Sequence, residues 1–223
     1  MPAGRGCPPR LRTHRRLTKV LHLVTGPSGA GKTSFCRAQE DWSHHRHNVD
    51  EWAKILRGAG VIEHTQDVWP FLVRSLRRQL GAGASPVCLD HVLDRNTFAP
   101  IASTARRHGY HLCLWVVSPS SPETCVTRVR KRRAEGGHGL NDATVRSLYG
   151  WALVAAAQLS RHCEDTYLVD ADGTFDVLAH IRGPRAAVRS RQDFPAWMQD
   201  RFVSACTHVD VRDDSAGFET PRP

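Results

Sequence analysis

The chain has 223 residues, enough for one large domain or two small ones, and enough to bury a core without disulfide or metal staples. Its 40% hydrophobic and 24% charged residues mark a globular protein rather than a disordered or fibrous one. No apolar run approaches the roughly 20 residues that span a bilayer. Thirty-one Lys+Arg against 22 Asp+Glu give a net charge of +9, and all the cations but Lys19, Lys32, Lys54 and Lys131 are arginines. Arginine forks around phosphate oxygens, so anionic partners fit this charge. The 7 cysteines, at 7, 36, 88, 113, 125, 163 and 206, are odd in number and form no C-x-x-C pair. That pattern favours free thiols in a reducing, cytoplasmic setting and speaks against a zinc module.

Residues 1–19 carry five arginines, Lys19, no acid and three prolines. They read as a basic tail, either solvated or able to touch nucleic acid. Val20–Thr25 reads as a strand that runs directly into a glycine loop and then a helical stretch. His47–Asp50 reads as a brief second strand. Val68–Leu80 carries apolar residues at helical spacing and stops at Gly81. Pro86–Asp90 reads as a buried third strand ending on an acid. Residues 97–108 are helical, closed by Gly109, and Tyr110–Val117 is the longest strand signal. Ser121-Pro122 opens another helix, with serine as its N-cap. A helical stretch at 143–161 and a last strand at Thr166–Asp170 complete the body, which runs from 20 to 208. Val209–Pro223 is expected to be a polar, frayed tail. This alternation implies an α/β fold, a parallel sheet sandwiched by helices, of the P-loop NTPase type.

The segment Gly26, Pro27, Ser28, Gly29, Ala30, Gly31, Lys32, Thr33 fits G-x-x-x-x-G-K-[ST] at every fixed position, between a strand and a helical stretch. Glycines there let backbone N–H groups converge on a phosphate with no Cβ in the way. Lys32 would reach the β- and γ-phosphates, and the Thr33 hydroxyl would coordinate Mg²⁺.

In open α/β sheets ligands sit at the carboxyl ends of the strands, where Asp50 and Asp90 are expected. Asp50 suits the carboxylate that orients an acceptor hydroxyl and takes its proton. Asp90 could hold the metal's water shell or the acceptor, with Asp94 and Arg95 close enough to pair with it or replace it; either acid could instead cap a helix. After Pro122, Arg128 and Arg132 lie four apart on one helix face and could grip the transferring phosphoryl oxygens, unless the run is a solvated basic face. Glu135-Gly-Gly-His138 follows, the glycine pair serving as the hinge of an arginine-bearing lid and His138 touching phosphate or substrate, or capping.

Together these residues resemble zeta-toxin-like P-loop kinases, within the wider group of P-loop small-molecule and polynucleotide kinases. The resemblance spans roughly 20–170. It rests on GPSGAGKT at 26–33, Asn48-Val-Asp50, Val87-Cys-Leu-Asp90, Arg128-x-x-x-Arg132, Glu135-Gly-Gly-His138, Val145-Arg146 and Tyr149. It implies that 26–33 binds ATP with Mg²⁺, that Asp50 is the general base, and that Arg128 and Arg132, joined by Arg146, stabilise the γ-phosphate. Two departures stand out. Asp90-His91 stands where such proteins place a glutamate and a threonine, and this aspartate resembles polynucleotide and nucleoside kinases, leaving the acceptor open beyond a nucleotide sugar. The segment between Asp50 and Pro86 matches no family pattern; its Trp52, Trp69, Arg57, Arg74, Arg77 and Arg78 either clamp an aromatic anionic substrate or form core and solvated face.

Three functions fit. The first is transfer of the ATP γ-phosphate to a hydroxyl of a small molecule such as a sugar, nucleotide sugar or antibiotic-like metabolite. The second is phosphorylation of a hydroxyl on RNA or DNA, aided by the basic tail. The third is an NTP-dependent switch that docks a protein partner. None calls for a membrane.

Overall fold

Val20–Thr25 (β1) is buried at every position, as a strand covered on both faces must be. The computed structural model describes residues 19–137, 139–183, 185–188, 195–206 and 210–213. The expected basic tail before Lys19, His138 and the residues after Asp213 lie outside the described residues. Around β1, the strands Arg46–Asn48 (β2), Val87–Asp90 (β3), His111–Ser118 (β4) and Asp165–Asp170 (β5) run parallel, in the order β2-β3-β1-β4-β5. Lys32–Arg37 (α1), Val49–Gly58 (α2), Trp69–Gly81 (α3), Arg95–Arg107 (α4), Pro122–Ala134 (α5) and Asp142–Ser160 (α6) complete the expected α/β architecture.

Beyond β5 the sheet departs from the all-parallel expectation. Asp176–Arg182 (β6) and Arg185–Val188 (β7) add antiparallel, and Asp210–Asp213 (β8) pairs parallel with β7, giving an 8-stranded sheet. Gly183, at φ 57, allows the tight return from β6 to β7. β8 lies inside the segment expected as a polar tail; four residues suffice to add an edge strand.

Local chemistry sets the boundaries. Asn48 ends β2 because its side chain accepts the Glu51 N–H and caps α2, so Asp50 lies in the first helical turn rather than at a strand end. Asp94 caps α4 by accepting from Thr97 N, and Ser121 caps α5 ahead of Pro122. In α3, Leu72, Leu76 and Leu80 recur at four-residue spacing and are buried. The pleat divides β4: Leu112, Leu114 and Val116 join one apolar cluster, and Cys113, Trp115 and Val117 join the other. Nearly all buried apolar side chains of α2 to α6 belong to the first cluster, while the second is covered by Phe35 and Cys36 of α1 and by Trp42. With only six residues in α1, the second face is thinly covered. No described helix is long and apolar enough to cross a membrane, and the six described cysteines are buried and free.

Candidate nucleotide and phosphoryl-transfer site

β1 delivers the chain straight into the glycine loop. Gly26 takes φ 140, and a Cβ there would lie 2.0 Å from Val117 O; at Gly29, φ 83, it would lie 2.6 Å from Cys125 O. Only a residue without a side chain fits either place. Lys32 closes across the loop, its Nζ donating to Gly26 O at 3.0 Å and Pro27 O at 2.9 Å. Burial pulls the Lys32 pKa below its ordinary value, and Asp90, then Cys125 and Asp50, oppose that pull. A buried ammonium held by two amide carbonyls is short of negative charge, the condition a phosphate answers.

Three strand ends meet beside this lysine. Asp90 pairs with Val24 on one side and Asn48 on the other, and it is 2% exposed. Its Oδ2 accepts from Thr33 Oγ1 at 2.8 Å and from Asn48 Nδ2 at 2.6 Å. Asn48 Nδ2 also lies 3.3 Å from Thr33 Oγ1, closing a triangle of hydroxyl, amide and carboxylate. The two oxygens of this triangle, the Thr33 hydroxyl and the Asp90 carboxylate, are hard donors that suit Mg²⁺. Arg46 NH1 stands 3.6 Å from Asp90 Oδ2, is buried, and has no hydrogen-bond partner among the described residues; its NH2 is held by both oxygens of Glu51. The sequence reading gave neither Arg46 nor Asn48 a role. The available signal was that both are alternate residues of the strand beside Asp90, and so point to one side of the sheet.

In the first turn of α2, Asp50 is exposed, and its charge reaches both Lys32 and His91. Burial, then the Lys32 charge, pull the His91 pKa down to about 4, so its imidazole is neutral at pH 7. The Trp69 ring stands edge-on to His91 with centroids 4.9 Å apart. Trp52 is half-buried against the core and stacks on His47 at 5.7 Å. Asp94, expected near substrate, spends its carboxylate on Thr97: Oδ1 accepts from N and from Oγ1, both at 2.8 Å. Burial pushes its pKa up, but the Thr97 donors outweigh this and leave it below the ordinary value. Arg95 is exposed in the first turn of α4.

The arginine helix lies on the loop. Arg128 donates through NH1 to Ala30 O at 3.1 Å and through NH2 to Ala171 O at 2.6 Å, tying the loop to the segment after β5. Arg132 Nε is buried and has no hydrogen-bond partner among the described residues. Arg146, expected beside the γ-phosphate, instead forks onto Glu123, Nε to Oε1 at 2.7 Å and NH2 to Oε2 at 2.9 Å. The expected glycine hinge is a helix stop. Gly137 N donates to Arg132 O and Gly136 N to Arg133 O, with Gly136 at φ 82, the bonding of a Schellman cap.

The fold matches solved structures at low identity. A kinase candidate from Chloroflexus aurantiacus aligns with a TM-score of 0.51 and 17% identity, over 59% of this chain and 80% of that one. The PezAT chromosomal toxin–antitoxin system of Streptococcus pneumoniae aligns at 0.53 and 18%, over 73% and 72%. The AvrRxo1-ORF1:AvrRxo1-ORF2 complex aligns at 0.54 and 16%, over 87% and 66%. No curated protein matches the sequence. These likenesses, with the family match below, establish a P-loop NTPase fold. The family model AAA_33, described as an AAA domain, matches residues 21–151, from the second residue of β1 to the middle of α6. With more than half of its residues inside that match, the chain belongs to the AAA domain family AAA_33.

Proposed function

We propose that the protein is an ATP-dependent phosphotransferase that moves the γ-phosphate of ATP to a hydroxyl of a small molecule. The observation that carries this reading is the triangle of Thr33, at the start of α1, with Asn48 and Asp90, at the ends of β2 and β3, beside a glycine loop whose lysine is short of negative charge. The residues fit the absent groups: residues 26–33 would take the phosphates, and Thr33 with Asp90 would take Mg²⁺. When bound there, ATP supplies the phosphoryl group and Mg²⁺ neutralises charge on its oxygens.

The chain's own residues do the rest. Lys32 exchanges its two carbonyl acceptors for phosphate oxygens. Arg132 meets the transferring group with a donor that lacks a partner in this structure. Arg128, held by Ala30 and Ala171, keeps the loop in shape while presenting positive charge to the same oxygens. Asp50 accepts the acceptor's hydroxyl proton as that oxygen bonds to phosphorus and ADP leaves, so one proton is released per turnover. The neutral His91, with the edge of Trp69, bounds the acceptor's place with surfaces that suit an uncharged hydroxyl compound rather than a run of phosphates.

The test is Asp50→Asn, with turnover measured by γ-labelled ATP transfer to a metabolite extract and ATP binding measured by calorimetry. Transfer should fall by about 10²-fold or more, with ATP affinity nearly unchanged. Native turnover in this variant would overturn the assignment of the base.

A further inference from the structure

Far from the nucleotide loop, on the thinly covered sheet face, four polar side chains converge on one carboxylate. His111 and Cys113 come from the start of β4, Asp165 pairs with Cys113 from the start of β5, and His180 and Arg182 come from β6. The Asp165 side chain is fully buried. Its Oδ2 lies 2.6 Å from His111 Nε2, and its Oδ1 lies 2.6 Å from His180 Nε2. Arg182 bonds both oxygens, at 2.9 and 3.2 Å. Cys113 completes the group, with one ligand atom each from His111, Cys113 and Asp165 lying within 4.8 Å of one another. Thr25, where the glycine loop begins, pairs with Val116. Five residues of strand separate Val116 from His111, so the cluster is roughly 17 Å from the loop.

We propose that His111 Nε2, Cys113 Sγ and Asp165 Oδ2 bind a divalent transition-metal ion of the zinc type, at a site separate from Thr33 and Asp90. One imidazole, one thiolate and one carboxylate make a donor set that zinc accepts and magnesium does not. Three protein ligands leave a fourth tetrahedral position for water, and the His111 side chain, 17% exposed, gives the cluster contact with solvent. His180 and Arg182 Nε hold Oδ1, and Arg182 NH2 reaches Oδ2 at 3.2 Å, a bond the metal would displace while the Oδ1 contacts fix the ligand carboxylate in place. Two registered strand pairs hold the donors, and reaching the roughly 3.5 Å edge of a zinc tetrahedron asks the 2.6 Å His111–Asp165 pair to open by about 1 Å and separations of up to 4.8 Å to close by about as much. Against a carboxylate, His111 Nε2 carries the imidazole proton; on metal uptake that proton moves to Nδ1. Cys113 gives its thiol proton to solvent, so about one proton leaves per ion bound. The absence of C-x-x-C spacing hid this set, since its members meet across strands.

The experiment titrates the full, tag-free, metal-stripped chain with Co²⁺ and follows absorption. One equivalent should produce a thiolate-to-cobalt charge-transfer band and the intense visible bands of tetrahedral cobalt, all displaced by Zn²⁺. Cys113→Ser should abolish the charge-transfer band and weaken binding at least tenfold, and His180→Ala should weaken it by about ten- to a hundredfold. Cys88→Ser, which removes a thiol of the other close pair (Cys36 and Cys88, Sγ atoms 3.8 Å apart), should change neither. If Cys113→Ser does not fold by circular dichroism, Zn²⁺ calorimetry on His111→Gln applies the same tenfold criterion. Octahedral cobalt without a thiolate band, or a band that survives Cys113→Ser or disappears in Cys88→Ser, overturns the proposal. None of these outcomes depends on kinase activity.

Discussion

Replacing Asn48 by aspartate tests the triangle at the strand ends while changing little else. Aspartate caps a helix as well as asparagine does, so the bond from Glu51 N survives. The second oxygen would stand where Nδ2 now lies, 2.6 Å from Asp90 Oδ2. Two carboxylates at that separation repel by about 6 kcal/mol at an effective dielectric near 20. The pair escapes part of this by binding a proton. Holding a carboxyl of ordinary pKa protonated at pH 7 costs about 4 kcal/mol, which caps the penalty. Arg46, 3.6 Å from Asp90, offsets some of the repulsion, leaving a loss of about 2–4 kcal/mol. For a chain of this size that is roughly 5–15 °C in Tm. The folded carboxyl pKa is raised, so the loss is absent below the unfolded value near 3.9 and grows as pH rises toward 7. At pH 5 the same cap is about 1.5 kcal/mol. Thermal melts of Asn48→Asp in chelator at pH 7 and pH 5 read both figures, and millimolar Mg²⁺ should recover stability at pH 7. Melts that match the parent at pH 7 in chelator would refute the geometry from which the number was built.

Two other perturbations separate roles that the sequence combined. Arg128→Ala removes two bonds to backbone carbonyls and should cost about 1.5–3 kcal/mol while weakening ATP binding. Arg132→Ala should leave the melt within about 0.5 kcal/mol and lower single-turnover transfer by about 10²-fold; the reverse pattern would exchange their assignments. Burial, with the His111 charge adding, holds the His22 pKa down to about 3 in the folded chain, and His91 is held down to about 4. Both pKa values lie below the unfolded 6.5, so the stability they allow is complete above pH 6.5 and is lost as pH falls through 6.5 toward 4. His91→Gln should remove one proton from the slope of unfolding free energy against pH between 6.5 and 4, about 1.4 kcal/mol per pH unit. An unchanged slope from denaturant titrations would contradict the burial of that ring.

Most of the sheet was legible because buried parallel strands are continuous apolar runs, and helix starts such as Ser121-Pro122 announce themselves. Asp50 was placed at a strand end because His47–Asp50 reads as extended, whereas the Asn48 side chain stops the strand two residues earlier. The additions β6 to β8 were missed since β7 and β8 have only four residues each, and the pairing of all three builds out from the non-local β5 edge. In the site, the glycine loop was readable because its backbone demands leave one residue type. The functions of Asp94 and Arg146 were not, since a short range of sequence cannot show that Thr97 or Glu123 already takes the charge. Arg46 carried no local signal at all; its meaning comes from the neighbouring strand.

The contact of Gly29 with Cys125 and Val129, together with the grip of Arg128 on Ala30, joins the first three turns of α5 to the phosphate loop as one rigid piece. The cap at Gly136 and Gly137 stiffens its far end. The helix therefore brings Arg128 to the loop as part of the fold itself. The Arg128 charge is set beside the loop like a magnet fixed into a frame, while α2 and α3 bring the charge of Asp50 and the ring of Trp69 up to His91.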